Sequence, residues 1–454
     1  MISFLPIGGG NEIGANSYYL NFNGNGIILD CGIHPQKTGL ESLPNFDLIK
    51  DKSVETCLVS HAHQDHIGSL LFLVKRFPYV KIITTPQTRA LAELTLHNFV
   101  SILKKEIEED DFEFYSHDEV DLLIQMIEYK EYQNQFELNS YHQQKDAKVN
   151  CTFYDAGHIL GSAGILLENN NHKIFYTGDI NLSSQTLQPA AQLPETKIDT
   201  LILETTYGAT DSELLLDWNS ESLRFAKEAN SILNNGGSIL IPVFSLGKMQ
   251  EMLGTIWQLM LKRKLTTVDV FTGGLGTKIN RAYDYNRFVV KRVDSEFELN
   301  TIQQKDYYEV SNPEDFFKHP CIVLASSGMM IKGTSSFTFA KRWLKQKDSA
   351  IFTVGYINTK TPGYVIANAE RGDKIQLTGF DELIEVNCTI KNFKFSAHAR
   401  REDLLKIVDK LRPDNVILTH GDEDALDWIG SSILKKYKNI KIQTAESRKE
   451  LKFF

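Results

Sequence analysis

The stretch Ser60-His61-Ala62-His63-Gln64-Asp65-His66-Ile67-Gly68 decides both the fold and the chemistry of this chain. It follows a short apolar run that predicts a strand. His61 and His63 are two residues apart, so their rings project from the same side of an extended backbone. Asp65 and His66 follow where the next helix is expected to begin. Three imidazoles and a carboxylate this close together are typical of a site for Zn²⁺ or a similar divalent metal, because a polar surface turn would need four coordinated residue choices by chance.

Further ligand-type side chains follow other apolar runs along the chain. His158 lies in a stretch of small residues, Asp179 ends Tyr176-Thr177-Gly178-Asp179, and His420 precedes a glycine. Each of the three alone is more often a cap or a surface residue. Together with the four residues of the first stretch they make seven metal-binding side chains, which is the supply needed for two ions about 3.5–4 Å apart that share a bridging carboxylate.

Composition places the chain among ordinary globular proteins. It has 454 residues, of which 42% are hydrophobic and 24% charged, so collagen-like, low-complexity and wholly disordered classes are excluded. No run of about 18 apolar residues predicts a membrane span, and the N-terminus shows no secretory signal. Five scattered cysteines without a CxxC motif argue against a disulfide framework or a cysteine zinc site. We therefore expect a protein of the reducing cytoplasm.

The net charge of −9, from 49 Lys and Arg against 58 Asp and Glu, argues mildly against a polyanionic partner. Basic residues nevertheless concentrate in one stretch of the sequence: Lys262-Arg263-Lys264, Lys278, Arg281, Arg287 and Lys291-Arg292. This stretch is either a phosphate-contacting surface or a solvated face, and charge alone does not choose between the two.

The rhythm of the chain changes after Glu204. Before it, short strands alternate with turns. After it, helices and buried strands alternate as in a doubly wound α/β domain. The expected helices are His66–Phe77, Pro86–Lys105, 107–130, Trp218–Asn234, Lys248–Lys262 and Arg401–Leu411.

These motifs together resemble the metallo-β-lactamase superfamily, which has an αββα sandwich fold. Leu203-Glu204-Thr205-Thr206-Tyr207-Gly208 resembles motif A of its β-CASP branch, Phe395-Ser396-Ala397-His398-Ala399 its motif B, and Leu418-Thr419-His420-Gly421 its motif C. The stretches 242–247 and 325–330 are similar to two further β-CASP landmarks. The most similar members are those that process RNA, namely the cleavage-and-polyadenylation endonuclease subunit and its prokaryotic homologues.

The resemblance implies an α/β fold of two domains. Residues 1–206 and 392–454 would form the αββα metallo-β-lactamase sandwich, and residues 207–391 an inserted doubly wound α/β (β-CASP) domain. Gly8-Gly9-Gly10-Asn11-Glu12-Ile13-Gly14 is not a dinucleotide loop, because its spacing is wrong for GxGxxG and a strand rather than a helix follows.

The resemblance also implies roles for single residues. His61, His63 and His158 would hold one zinc ion, Asp65, His66 and His420 a second, with Asp179 bridging the two. A bridging water would attack the phosphorus, and Asp65 counts among the catalytic residues as well as the ligands. His398 would be the general acid for the leaving 3′ oxygen and Glu204 would orient it. Asp30 is expected to fix the histidine-rich loop rather than to bind metal. Possible phosphate or RNA contacts are Ser327, Gly328 and Lys248.

The implied function is a ribonuclease with two Zn²⁺ per chain. It would be an endonuclease that cleaves single-stranded RNA to leave a 5′-phosphate and a 3′-hydroxyl, and the histidine of motif C favours RNA over DNA. The alternatives are a 5′→3′ exonuclease, a DNA-acting β-CASP nuclease, a small-molecule hydrolase of the lactonase or thioesterase kind, and a non-catalytic scaffold subunit of an RNA-processing complex. The oligomeric state is open, with a homodimer among the options.

Two departures from the family pattern bear on how RNA would enter. The segment Ala209-Thr210-Asp211-Ser212-Glu213 is acidic where relatives often continue with a histidine and basic residues. Position 248 is a lysine where relatives often have arginine. The sequence also leaves no room for an N-terminal KH pair or an added C-terminal domain, so protein partners are expected to supply RNA affinity.

Overall fold

The structure is a computed structural model that describes residues 2–22, 24–106, 115–138, 148–379 and 382–453. The chain divides into two compact units. Unit 1 comprises Met1–Leu182, Ala190–Leu214 and His398–Phe454, and unit 2 comprises Ser183–Pro189 and Leu215–Ala397. The predicted domains, 1–206 with 392–454 and 207–391, remain a prediction. The compact units differ from them by assigning Ser183–Pro189 and 392–397 to unit 2 and 207–214 to unit 1.

Strands and helices follow one another along the whole described chain. Residues up to 204 form β1 (Ile2–Gly8), β2 (Ser17–Phe22), β3 (Asn25–Leu29), β4 (Thr56–Leu58), α1 (Gln64–Ile67), α2 (Leu70–Arg76), β5 (Lys81–Thr84), α3 (Pro86–Glu106), α4 (His117–Met126), β6 (Ile127–Tyr129), β7 (Phe136–Leu138), β8 (Val149–Asp155), β9 (Ala163–Glu168), β10 (Lys173–Tyr176) and β11 (Thr200–Glu204). Then come α5 (Trp218–Leu233), β12 (Ile239–Pro242), α6 (Lys248–Leu261), β13 (Asp269–Thr272), α7 (Leu275–Tyr285), β14 (Gln304–Asp306), β15 (Cys321–Ala325), α8 (Ser335–Trp343), β16 (Ala350–Val354), α9 (Pro362–Ala367), β17 (Lys374–Ile375), β18 (Ile384–Glu385) and β19 (Thr389–Phe393). The C-terminal part adds α10 (Arg401–Leu411), β20 (Asn415–Thr419), α11 (Glu423–Lys436), β21 (Lys441–Thr444) and β22 (Leu451–Phe453).

Unit 1 is a sandwich of two mixed sheets. One sheet has the strand order β22-β1-β2-β3-β4-β5-β6 and the other β21-β20-β11-β10-β9-β8-β7. Their inner faces share one apolar core, in which Phe4 and Tyr18 of the first sheet cluster with Phe153 and Ile165 of the second. The outer face of the second sheet packs against α10 and α11. The predicted αββα sandwich is therefore confirmed.

Unit 2 is built on a parallel sheet with the strand order β14-β13-β15-β12-β16-β19. Successive residues of β16 face opposite ways, as the pleat requires. Ile351 lies in a core with Trp343 of α8, whereas the ring of Phe352 meets Phe225 of α5, 5.7 Å between centroids. Helices thus cover both faces, which confirms the predicted α/β alternation.

Two predicted helices differ from the structure. The helix expected over His66–Phe77 is broken into α1 and α2 at Gly68, where a Cβ would meet the Ile33 side chain at 2.5 Å. Of the helix expected over 107–130, residues 107–114 lie outside the described residues, and α4 ends at Met126. Ile127–Tyr129 is instead a strand, because it pairs in parallel with β5 at the edge of the first sheet. That pairing is a tertiary contact, which local periodicity does not reveal.

Among the described residues, none of the helices is both long and apolar enough to cross a membrane.

Ser183–Pro189 is held in unit 2 by a buried carboxylate. Glu251 on α6 accepts the backbone N–H of Leu187 at 2.8 Å and of Gln188 at 3.0 Å. Thr186 adds a hydroxyl contact to Thr255, and its Oγ1 accepts the indole N–H of Trp218 at 2.8 Å. Side chains far along the sequence therefore satisfy the backbone of this short segment.

We expect Glu251→Ala to lower the free energy of unfolding by about 2–4 kcal/mol, because each buried N–H left without a partner costs about 1–3 kcal/mol. Glu228→Ala is the matched control, since Glu228 pairs with Lys391 at the surface of the same unit and such pairs contribute about 0–1 kcal/mol. Urea denaturation followed by fluorescence measures both values. Equal losses in the two variants would contradict an anchoring role for Glu251.

Candidate metal centre

The predicted ligands come together at one end of the unit 1 sandwich. His61 and His63 follow β4, and Asp65 and His66 lie in α1. The other members of the set follow further strands: His158 after β8, Asp179 after β10 and His420 after β20. β3 with β4, and β10 with β11 and β20, run parallel, so their carboxyl ends meet at a common edge of each sheet.

A first cluster consists of His61, His63, His158 and Asp179, whose ligand atoms all lie within 4.8 Å of one another. His63 Nδ1 is 3.1 Å from His61 Nε2 and 3.2 Å from His158 Nε2. Asp179 Oδ2 is 3.6 Å from His61 Nε2 and 3.7 Å from His158 Nε2.

A second cluster consists of Asp65, His66 and His420. Asp65 Oδ2 is 3.6 Å from His66 Nε2 and 3.5 Å from His420 Nε2. Asp179 also reaches this cluster, with Oδ2 at 3.5 Å from His66 Nε2 and Oδ1 at 2.9 Å from His420 Nδ1. Asp179 thus contacts both clusters, which is the position that a bridging carboxylate requires.

The donor atoms fit divalent cations. Tetrahedral zinc with Zn–N bonds of about 2.0–2.1 Å places neighbouring ligand nitrogens about 3.3 Å apart, close to the spacings around His63. Imidazole nitrogen and carboxylate oxygen are ligands that zinc accepts. Within the described part of the chain, the buried His420 Nε2 makes no hydrogen bond. This nitrogen lies in the second cluster and can serve as a metal ligand.

The electrostatics of the two clusters also favour bound positive charge. Burial by itself would lower the pKa of His420, but Asp179 and Asp65 raise it to about 10. Burial likewise opposes ionisation of Asp179, yet His420 and His66 hold the pKa of its carboxyl well below the usual range. The pKa of His66 is raised well above its ordinary value by three aspartates that outweigh its burial. Divalent cations would replace the protons that these carboxylates attract.

Asp30 lies directly behind this cluster and is fully buried. Its Oδ2 accepts hydrogen bonds from Tyr176 Oη at 2.6 Å and Ser60 Oγ at 2.7 Å, and lies 2.8 Å from His66 Nδ1. Its Oδ1 accepts the backbone N–H of Ser60 at 2.6 Å. A carboxylate on Nδ1 leaves Nε2 of His66 as the acceptor atom, which is the form that binds metal.

Asn16 is a neighbour of the site that sequence reasoning missed. Its Nδ2 is 3.0 Å from His66 Nε2, and its Oδ1 accepts the Tyr18 hydroxyl at 2.8 Å. Its backbone N–H donates to the Asp65 carbonyl at 2.8 Å. Asn16 stands in a loop forty-odd residues before the histidine motif, and no local pattern connects the two.

The glycine stretch that is not a dinucleotide loop forms a wall of the site. The Gly10 carbonyl accepts the His420 N–H at 2.8 Å. Gly10 has φ +100°, and a Cβ there would meet the Ala445 carbonyl oxygen at 2.1 Å, so only glycine fits. His420 itself has φ 51°, a left-handed value that is uncommon outside glycine and is found at functional sites when the surroundings enforce it.

Glu204 and His398 form a pair beside Asp179. His398 Nδ1 is 3.1 Å from Glu204 Oε1 and 4.0 Å from Asp179 Oδ2. Glu204 Oε1 also accepts the backbone N–H of Ile180 at 2.7 Å, so one carboxylate holds both His398 and the segment that carries Asp179. Burial would lower the pKa of His398, but the charge and hydrogen bond of Glu204 raise it above its ordinary value. The pair therefore favours the protonated form of the imidazole.

The acidic departure after motif A has a structural partner. Asp211 Oδ1 lies 2.9 Å from the Arg401 guanidinium, which also binds Glu402 at 2.9 Å. The same guanidinium stacks on Trp428 of α11, 4.4 Å from the ring centroid. One arginine thus joins the segments that follow Glu204, His398 and His420.

The three predicted RNA contacts lie in unit 2. Lys248 begins α6 and is buried, and its ammonium donates to the Phe395 carbonyl at 2.5 Å and lies 5.0 Å from the Trp218 ring centroid. Burial lowers the pKa of Lys248 to about 8. Ser327 and Gly328 form the turn between β15 and α8, where the Ser327 carbonyl accepts Ser336 Oγ at 2.6 Å. Lys248 is therefore hydrogen-bonded within unit 2. The turn at Ser327 is held by the hydrogen bond from Ser336.

Three family models match successive parts of the chain. A metallo-beta-lactamase superfamily domain matches residues 19–206, a Beta-Casp domain residues 249–366, and a Zn-dependent metallo-hydrolase RNA specificity domain residues 383–444. Together they bear out the sequence resemblance in both domains.

Relatives of known name match along almost the whole chain. Cleavage and polyadenylation specificity factor subunit 3 of Dictyostelium discoideum is 29% identical over 98% of this chain and 57% of its own length. Endoribonuclease ysh1 of Schizosaccharomyces pombe is 27% identical over 97% of this chain and 57% of its own length. Integrator complex subunit 11 of Danio rerio is 27% identical over 96% of this chain and 72% of its own length. The chain thus spans little more than half the length of the first two relatives.

A solved structure from Enterococcus faecalis V583, a protein of unknown function, aligns over 99% of both chains with a TM-score of 0.55 and 13% identity. At that identity the likeness supports the fold alone.

Proposed function

We propose that this chain, which belongs to the β-CASP branch of the metallo-β-lactamase superfamily, is a dinuclear zinc-dependent ribonuclease. It cleaves single-stranded RNA internally and leaves a 5′-phosphate and a 3′-hydroxyl. The observation that carries the proposal is the placement of Asp179 between the two ligand clusters, with the Glu204–His398 pair beside it. The Glu204–His398 pair and the inserted α/β segment speak against a small-molecule hydrolase of the lactonase or thioesterase kind.

The residues divide the work. His61, His63 and His158 would hold one zinc ion, Asp65, His66 and His420 would hold the other, and Asp179 would contribute to both. The chemistry that bound zinc supplies is an activated water and neutralisation of the phosphate charge. Asp30 orients His66 from behind through its contact with Nδ1.

His398 moves the proton that the leaving group needs. Its Nδ1 is engaged by Glu204, so Nε2 carries the proton that passes to the 3′ oxygen. A sugar alkoxide is a poor leaving group, and protonating it in the transition state typically contributes about 10²–10⁴-fold in rate. Glu204 orients His398 through Nδ1 and raises its pKa, which favours the protonated form that the transfer needs.

The relatives extend the proposal to partners and place. Their names include a specificity-factor subunit, an endoribonuclease and an Integrator subunit, which supports an RNA substrate and protein partners that bring the RNA. Ser327, Gly328 and Lys248 remain proposed phosphate or RNA contacts, and the Lys248 ammonium also donates to the Phe395 carbonyl. The cysteines are all buried and free, which supports a reducing compartment such as the cytoplasm.

The test is cleavage of circular single-stranded RNA by the zinc-loaded protein, alongside linear RNA labelled at the 5′ or 3′ end and DNA of matched sequence. We expect the circle to be linearised and the linear RNA to give internal fragments with 5′-phosphates. Degradation of linear RNA alone from its 5′ end would make the protein an exonuclease. Activity on DNA alone would overturn the substrate, and inertness towards every nucleic acid despite bound zinc would favour the scaffold alternative.

A further inference from the structure

Unit 2 exposes aromatic and basic side chains together at the ends of two helices. Tyr285 ends α7 with 83% of its surface exposed, and Phe288 follows with 64% exposed. Lys291 lies further along the same segment, and Lys262, Arg263 and Lys264 follow the end of α6; all four are exposed. We call these six residues the basic–aromatic patch.

The topology of unit 2 brings the two helix ends to one edge of the sheet. β12, β13 and β15 are parallel, and α6 leads from the carboxyl end of β12 back to the start of β13. α7 leaves the carboxyl end of β13 and runs back in the same direction. Both helices therefore end at the amino edge of the sheet, opposite the edge where β15 leads into Ser327.

Four cations of the patch have no carboxylate partner among the described residues, although Asp284 and Asp294 flank the stretch 285–293. The stretches 261–264 and 285–293 contain six lysines and arginines and no aspartate or glutamate, whereas the whole chain has a net charge of −9. Among the described residues, Lys262, Arg263, Lys264 and Lys291 form no ion pair, unlike Arg287, which faces Glu298 at 3.6 Å. Free cations in one place attract a polyanion.

The aromatic rings of the patch do not serve the core. Large exposed aromatics in a monomer mark binding surfaces when they cluster. The guanidinium of Arg287 stacks on Phe288, 4.6 Å from the ring centroid. This cation–π contact helps to orient the exposed ring. Exposed rings interleaved with free cations are the combination by which proteins hold single strands, because bases stack on the rings while lysines and arginines contact the phosphates.

We propose that the basic–aromatic patch of unit 2 binds single-stranded RNA. The proposal rests on the proposed function, since it assigns to the ribonuclease a place for RNA beyond the cleaved bond. Tyr285 and Phe288 stack bases, and the four free cations contact phosphates. An RNA gains affinity from the patch when it is long enough to occupy the patch and the cleaved position at once, which we expect of a long RNA and not of one of a few residues.

The test compares two patch variants with a matched control in the zinc-loaded enzyme. One variant is Tyr285→Ala with Phe288→Ala, and the other Lys262→Gln, Arg263→Gln and Lys264→Gln. The control is Lys345→Gln, Lys347→Gln and Lys374→Gln, which removes three exposed charges elsewhere in unit 2. KM and kcat are measured on an RNA of about 40 nucleotides and on one of about six, and thermal melting checks that each variant folds.

For the long RNA we expect KM to rise about tenfold or more in the aromatic variant with kcat unchanged, because each stacked base contributes a factor of that order. In the charge variant the slope of log(kcat/KM) against log salt should flatten by about 2, at about 0.7 per phosphate contact. The short RNA and the control variant should behave as wild type. An unchanged KM for long RNA in both patch variants would overturn the proposal.

A second readout separates this proposal from the proposed function. RNA carrying 4-thiouridine, irradiated with the wild-type protein, should crosslink to the peptide that contains Tyr285 and Phe288. Should the wild-type enzyme cleave no RNA at all, the proposed function falls, and the crosslink still decides the patch. Loss of self-association in the patch variants with no change in RNA binding would assign the patch to a second copy of this chain and overturn the RNA assignment.

Discussion

Asp179→Ala will lose both its zinc and its activity. The wild-type protein should carry close to two zinc ions per chain by elemental analysis, and the variant clearly fewer. Asp179 Oδ2 lies within 3.5–3.7 Å of nitrogens from His61, His66 and His158, and Oδ1 lies 2.9 Å from His420 Nδ1. In the proposed dinuclear centre both ions would share this carboxylate, so its removal should cost several kcal/mol of transition-state stabilisation. At 1.36 kcal/mol per tenfold, that is a loss of about 10³-fold or more in kcat/KM.

The matched control for this variant is Asp422→Ala. Asp422 is an exposed carboxylate two residues beyond His420, so the substitution makes the same change of charge near the site without touching either cluster. It should keep the zinc content and the rate of the wild type. A zinc-depleted wild-type protein with full activity, or an Asp179→Ala protein that retains both ions, would end the dinuclear proposal.

His398→Ala should keep its zinc and lose about 10²–10⁴-fold in turnover, the usual scale for removing a proton donor. The loss should shrink on RNA with a sulfur in place of the 3′-bridging oxygen, because a thiolate leaves without protonation. The structural reason is that His398 is joined to Glu204 at 3.1 Å while Asp179 stays 4.0 Å away.

His420→Ala is the comparison that gives this result its meaning. His420 also follows a buried segment near the C-terminal end, but its nitrogens face Asp179 and Asp65. Its replacement should weaken or remove one zinc ion, and the sulfur substrate should not restore the rate. Zinc loss in His398→Ala, or an equal defect on the sulfur substrate, would make His398 a ligand or a structural residue and leave Glu204 unexplained.

The ligand set was within reach of sequence reasoning because most of it is local. His61, His63, Asp65 and His66 lie within six residues, where strand and helix geometry alone set the direction of the side chains. The remaining ligands each follow an apolar run, and parallel strands bring their ends to one edge. The α/β alternation after Glu204 followed from the sequence pattern, whereas the αββα sandwich was expected from the resemblance to the metallo-β-lactamase superfamily.

What the sequence did not reveal depends on contacts between distant segments. Asn16 meets His66 only after β1 and β2 pair beside the histidine loop, and Gly10 meets His420 from the other end of the chain. Lys248 was predicted at the start of a helix as a phosphate or RNA contact. In the structure it is buried, and its ammonium donates a hydrogen bond to the Phe395 carbonyl. The sequence of β6 was predicted as the end of a helix, but it forms a strand because it pairs with the edge of β5. None of these partners lies within a window that periodicity or spacing can sample.

The segments of unit 1 lie on both sides of unit 2 in the sequence, and this determines the order in which the residues of the proposed centre are synthesised. β22 pairs with β1. β20, which ends just before His420, pairs with β11, and the segment Leu215–Ala397 of unit 2 lies between these two strands in the sequence. A ribosome therefore finishes unit 2 before it makes His398 and His420. The growing chain carries histidines that can take up zinc, but it has neither the last ligand nor the proton donor until residues 398–420 have been added. If the chain is the proposed ribonuclease, its site is therefore complete only after unit 2 has been synthesised.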